Sequence, residues 1–301
     1  MEYPIMTMTE DYRIETTARG VELNRDNVEN YTVMFWSGKC AADKEDWRQP
    51  RGLDHYIQNV LTPMITSGEI DDGSRTPYDD RKFRFDKAEF SRPSLPILNI
   101  SLGATHFKAV KEDIERSNDE NKKLQQRGYQ KFGDCYAFFA RSVGVAVLPI
   151  TSDGTVFVGE RKNTEYGGFL NAVAGYVTFR KDVSNLNIKG EALRELNEEF
   201  GISKEEVTSL DFAGIYSHPM KGDLDFTFIA KVNKPEEYFS SGAWMATVKE
   251  REHKPLVHLA SMSQIEELLE TGKLPNSDRK LKVMYSTRGA LMSIRAEEIR
   301  S

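Results

Sequence analysis

The sequence predicts a mixed α+β protein in two parts, an N-terminal α+β unit over residues 1–138 and a second unit over residues 139–301. Three observations carry that reading. From Arg141 to Ala174, short apolar runs alternate with turn signals at strand spacing. The stretch Ala174–Ile202 then ends in a helix rich in carboxylates. Ahead of residue 138 the chain is more polar, with one alternating strand pair and one long charged helical stretch.

A length of 301 residues suits one large or two ordinary domains, and 39% hydrophobic with 29% charged residues is a balance that builds a core. The net charge of −6 argues against nucleic acid as the main partner. Two cysteines, Cys40 and Cys135, make no disulfide framework and point to a reducing, cytoplasmic compartment. The longest apolar run, Val143 to Ile150, falls far short of a bilayer span, so no membrane partner is expected. The first residues, MEYPIMTMTEDYR, are polar and acidic and do not read as a secretory signal.

In chain order, Tyr31 to Trp36 reads as a strand. Ser37 to Cys40 mimics part of a phosphate-binding loop, but Val33 stands where its first glycine is required, which leaves a turn. Leu53 to Ile65 has helical spacing, and Ser67 to Arg81 is a charged loop. Lys82–Phe90 and Pro96–Leu102 alternate as an antiparallel pair, and Phe107 to Gln126 is helical with His106 as a cap or surface residue. Ser142 to Ile150 is a buried strand that turns at Asp153-Gly154 and returns through Thr155–Glu160. Phe169 to Val173 is the next strand, leading to the carboxylate helix. Leu210–His218, Asp223–Val232 and Leu256–Ala260 are further strands, with Pro235–Lys254 irregular between the last two. Ser263–Thr271 is a helix capped by Ser261 or Ser263, and Asp278–Arg295 closes the chain as a helix.

The helix carries the chemistry. Relative to Glu195, Glu199 sits at roughly +40°, Glu198 at roughly −60° and Glu191 at roughly −40° around the axis. Leu193, Leu196 and Phe200 lie on the other side and are free to bury. Gly201 suits the left-handed position that ends a helix. Like charges at this spacing repel by a few tenths of a kcal/mol per pair, so something compensates. Hard oxygen ligands suit Mg²⁺ or Mn²⁺. A solvated acidic face is the plainer alternative.

These residues resemble the Nudix hydrolase signature. Arg194 to Ile202 matches its last nine positions, and Ala174-Gly175 resembles its small residue and box glycine. The chain departs in the middle. Gly175 to Arg194 is five residues longer than the family spacing, and Leu186 stands where the box glutamate is expected. Asp182 and Glu191 are the stand-ins within reach. In order and spacing, Leu102–Phe107, Gly128–Ala137 and Ser142–Ala146 are also similar to the UDP-glucose pyrophosphatase branch.

The resemblance implies an α/β/α Nudix sandwich preceded by the α+β unit. It also implies metal-dependent hydrolysis of a pyrophosphate bond in a nucleotide sugar such as UDP-glucose. ADP-ribose or a dinucleotide is the alternative substrate, and a catalytically silent nucleotide-binding module with a regulatory role is the alternative function. By the same resemblance Glu195, Glu198 and Glu199 hold Mg²⁺ or Mn²⁺ with the main-chain carbonyl of Ala174. Arg194 orients a carboxylate. The general base is a helix glutamate or one from the later KEREHK run, Glu250 or Glu252, which reads equally as a solvated charge run. Arg161 and Lys162 would meet phosphate, Tyr166 would stack on a base, and Asp225 and Phe226 would line the pocket. Each of these also fits an ordinary surface or core role. The expected partner is a small nucleotide, with the N-terminal unit either shaping the pocket or forming a homodimer.

Overall fold

The computed structural model describes residues 13–14, 32–35, 81–90, 97–161, 167–179, 186–248 and 253–299. The expected helix from Leu53, the turn at Ser37–Cys40 and the loop from Ser67 lie outside these residues, as do Lys162, Tyr166, Asp182, Glu250 and Glu252.

The strands in chain order are β1 (Arg13–Ile14), β2 (Thr32–Phe35), β3 (Arg81–Phe90), β4 (Ile97–His106), β5 (Val143–Ile150), β6 (Val156–Arg161), β7 (Phe169–Asn171), β8 (Val173–Tyr176), β9 (Val207–Ser217), β10 (Leu224–Val232), β11 (His253–Leu259) and β12 (Lys282–Val283). The helices are α1 (Phe107–Glu115), α2 (Asn118–Phe132), α3 (Ile188–Phe200), α4 (Glu236–Ser240), α5 (Met262–Thr271) and α6 (Tyr285–Met292).

β5 is the central strand. It runs parallel to β10 on one side and antiparallel to β8 on the other, and it touches β6 only at Ile150–Val156. Every residue of β5 is buried because both sheet faces are covered. Val143, Val145 and Val147 pack with Ala192, Leu196 and Phe200 of α3. Leu148 and Ile150 pack on the other face with Ile265 and Leu268 of α5 and Ala290 and Leu291 of α6. The result is a mixed α+β sandwich with helices on both faces of a curled sheet, the class that the sequence predicts.

The expected strand from Phe169 to Val173 is broken at Ala172. β7 pairs with β6 and β8 pairs with β5, so the chain changes partner at that residue. The stretch from Phe107 to Gln126 is two helices rather than one. Ser117 accepts the amide of Glu120 and donates its own amide to the Glu120 carboxylate in return, a capping box that starts α2 anew. The segment from Pro235 is not wholly irregular, since α4 and a 3₁₀ turn at Ala243–Ala246 set Phe239 and Trp244 against Phe200 with ring centres 5.5 Å apart in each pair. The final helix is shorter than expected. Lys282 and Val283 pair with Phe169 and Leu170 as a strand, so helix begins only at Tyr285.

In the smaller three-stranded sheet β4 lies between β2 and β3. Backbone bridges at Lys82–Thr178 and Arg84–Ser142 tie β3 to the residues just after β8 and just before β5. Phe83 and Phe85 are buried in the same cluster as the valines of β5. Strand alternation leaves Lys82 and Arg84 on the opposite face of β3. Among the described residues no helix is long and apolar enough to cross a membrane.

Candidate active site

α3 starts where the Asn187 side chain accepts the Gly190 amide at 2.9 Å, and it ends at Gly201 with φ +67°. Leu196 and Phe200 anchor it in the core, which drives Glu191, Glu195 and Glu199 inward as well, to 6%, 5% and 2% exposure. Leu193, expected to bury with Leu196 and Phe200, is only half-buried.

Arg194 holds this crowd of acids together. Its guanidinium donates to Glu191 at 3.1 Å, to Glu195 at 2.5 Å and to Glu198 at 2.7 Å. Glu191 also accepts the Thr178 hydroxyl at 2.9 Å. Glu199 accepts the amide of Ala174 at 3.3 Å, so the visible link from Ala174 to the cluster is its N–H. Burial pushes the Glu195 carboxyl up to about 7. Arg194 opposes the shift, while Glu199 and Glu198 add to it. Gly175 lies so close to the Glu195 carboxylate that a Cβ there would collide with it.

The carboxylates of Glu195, Glu198 and Glu199 line a cavity of about 640 Å³ together with Ala174 and Arg194. Residues of β10 and α6 line it as well. Asp223 accepts the Ser142 hydroxyl at 3.0 Å. Asp225 sits beside Gly144, which has no room for a Cβ on that side. Burial raises the Asp225 carboxyl to about 6, against the hydroxyls of Ser286 and Tyr285, with Asp223 adding and Arg161 opposing.

Of the residues proposed from sequence, the fold brings Ala174, Arg194, Glu195, Glu198, Glu199, Arg161 and Asp225 to one cavity. Phe226 is not among them. Adjacent strand residues point to opposite faces, and Phe226 is fully buried in the core with its ring 6.3 Å from that of Phe212. It is therefore corrected from a pocket residue to a core residue. Lys162, Tyr166 and Glu252 lie outside the described residues. Sequence reasoning missed Lys82, Thr178, Asp223 and Tyr285, all of which line the cavity. Asp223 was within reach, because it shares a strand face with Asp225. Lys82 carried no signal, being far from the motif along the chain.

Among the described residues no three His, Cys, Asp or Glu side chains converge closely enough to hold a metal as they stand. Arg194 engages an oxygen of Glu195 and one of Glu198. The donor chemistry still fits a hard divalent cation, since three carboxylates line one cavity.

No protein-family model matches the chain, and no curated protein matches it. Solved structures similar to it include a MutT Nudix hydrolase from Burkholderia pseudomallei, 19% identical, covering 51% of this chain and 97% of that one at a TM-score of 0.33. A Nudix hydrolase from M. smegmatis, RenU, is 16% identical over 50% of this chain and 80% of that one at 0.30. An Ap4A hydrolase from C. elegans is 13% identical over 42% of this chain and 83% of that one at 0.27.

Proposed function

We propose that the protein is a divalent-metal-dependent hydrolase of the pyrophosphate bond in a nucleoside diphosphate-linked compound, with a nucleotide sugar such as UDP-glucose as its first substrate. One observation carries the proposal: the Arg194–Ile202 motif, read from sequence as Nudix-like, is a helix whose three motif glutamates face a single cavity. In the reaction a water oxygen bonds to one phosphorus and the bridging P–O bond breaks. A nucleoside monophosphate and a sugar phosphate leave, and the water proton passes to a base.

Glu195, Glu198 and Glu199 would hold Mg²⁺ or Mn²⁺, which when bound neutralises the diphosphate and acidifies a water. Arg194 keeps the carboxylates in register. Arg161 offers positive charge to phosphate, and Asp225 accepts hydrogen bonds from the nucleoside or sugar. Glu198, the most exposed of the three glutamates, and Glu252 are the candidate bases. A second reading, a silent nucleotide-binding module, draws on the closed Arg194 clasp over Glu195 and Glu198.

The experiment is phosphate release from UDP-sugars, ADP-ribose, dinucleoside polyphosphates and NADH, coupled to phosphatase, with and without Mg²⁺. The expected result is Mg²⁺-dependent turnover of a UDP-sugar that Glu199→Gln lowers by at least about 100-fold, the upper end of the loss seen for outer-shell partners of a metal. Turnover of ADP-ribose alone would keep the chemistry and replace the substrate. Silence across the panel, with nucleotide still raising Tm, would favour the binding module.

A further inference from the structure

We infer that Lys82, supplied by β3 of the N-terminal unit, binds an anionic phosphate of the substrate, because the backbone bridge to Thr178 carries its side chain into the cavity that the α3 carboxylates line. The inference rests on the proposed pyrophosphate chemistry for the identity of the anion.

The placement of Lys82 is determined on three sides. Its neighbours Phe83 and Phe85 are buried in the main core at 0% and 3% exposure. A one-residue slip of β3 would expose both rings, so the register is strongly held. The bridge partner Thr178 donates to Glu191, and Glu191 accepts from Arg194. One short relay thus ties β3 to the carboxylate helix. The Lys82 ammonium lies 5.0 Å from the centre of the Tyr176 ring and 5.6 Å from that of Phe107. Aromatic faces orient an ammonium held within about 6 Å of the ring centre.

The charge pattern of the cavity calls for such a group. Arg194 is engaged by three glutamates, and Arg161 stands near Asp225. A nucleoside diphosphate ester brings two negative charges into a cavity already rich in carboxylates. A metal bound at α3 would meet one side of the diphosphate. Lys82 enters from the β3 side and is placed to meet another of its oxygens by a charge-assisted hydrogen bond. The N-terminal unit then forms part of the binding site.

The test compares wild type, Lys82→Met and Lys82→Arg in the full chain by three readouts: calorimetric binding of inorganic pyrophosphate in magnesium chloride, steady-state kinetics on whichever substrate turns over, and Tm. The expected result is that Lys82→Met weakens pyrophosphate binding and raises KM by about tenfold, the scale of one charge-assisted contact. It should leave kcat and Tm little changed, and Lys82→Arg should restore most of the loss. Equal pyrophosphate affinity in Lys82→Met and wild type, or no binding by wild type, overturns the inference. A lowered Tm with parallel losses in both variants also overturns it, since that marks a structural prop for Tyr176 and Phe107. Lysine-dependent pyrophosphate binding without turnover of any diphosphate would support Lys82 while removing the hydrolase reading.

Discussion

Thr178 donates both its hydroxyl and its amide to Glu191, at 2.9 and 3.4 Å, and so closes the stretch that is five residues longer than the Nudix spacing. Arg194 completes the arrangement by donating to the same Glu191 oxygen through Nε and Nη2. Leu186, at the position expected for a glutamate, is instead part of the core. Glu191 is therefore one of three α3 glutamates that hold the Arg194 guanidinium, and the one that also ties it to Thr178.

Removing that partner should be costly. Glu191→Ala removes the buried acceptor that the Thr178 hydroxyl shares with Arg194, so it should destabilise the fold by about 1–3 kcal/mol in urea unfolding. Glu191→Gln, which retains an acceptor oxygen, should cost less. Equal stability of Glu191→Ala and wild type would show that the clasp contributes nothing.

Arg194→Ala tests the charge compensation directly. Without the guanidinium, Glu191, Glu195, Glu198 and Glu199 face one another across a buried helix face. The metal-free variant should melt below wild type, and Mg²⁺ should raise its Tm more than it raises that of wild type. An identical Mg²⁺ response in both proteins would speak against a cation site among these carboxylates.

Gly175→Ala separates function from folding. The added Cβ meets the far end of the Glu195 side chain, which is flexible but pinned by Arg194. The carboxylate has to swing away, so turnover should fall by at least about tenfold. Tm should drop only modestly. A large loss of stability with turnover retained in the folded fraction would contradict this.

His218 sets an acid limit on stability. Burial, with Lys221 adding, holds its imidazole down to about 3. It is neutral in the fold, where Nδ1 accepts the Met220 amide at 3.1 Å and the ring meets Tyr285 edge-on at 5.8 Å. The unfolded chain takes up that proton near 6.5. Stability from this group is therefore complete above about pH 6.5 and declines as pH falls from there toward 3, by at most about 1.4 kcal/mol per pH unit. His218→Gln should flatten the slope of unfolding free energy between pH 6.5 and 5 relative to wild type. Parallel slopes would show that His218 is not buried in its neutral form.

The helix and its C-terminal end were legible because the signals are local. Amphipathic spacing and a C-terminal glycine each act within a few residues, and α3 ends at Phe200 with Gly201 as its cap. The strand break at Ala172 and the shortened final helix were not legible. Each depends on which distant strand offers free hydrogen-bonding edges, β5 in one case and β7 in the other. Phe226 was misread because period-two alternation assigns neighbours to opposite faces without saying which face meets the cavity.

The sequence determined the carboxylate helix and which glutamates share its face, since spacing along one chain suffices for both. The tertiary structure alone decided that Glu191 joins the Arg194 clasp, that Asp223 and Asp225 line the same cavity as Glu195, and that Lys82 of β3 lines it too. Those relationships come from strand pairing and core burial between segments far apart in the chain. Such forces select a partner by shape and register, which no local pattern records.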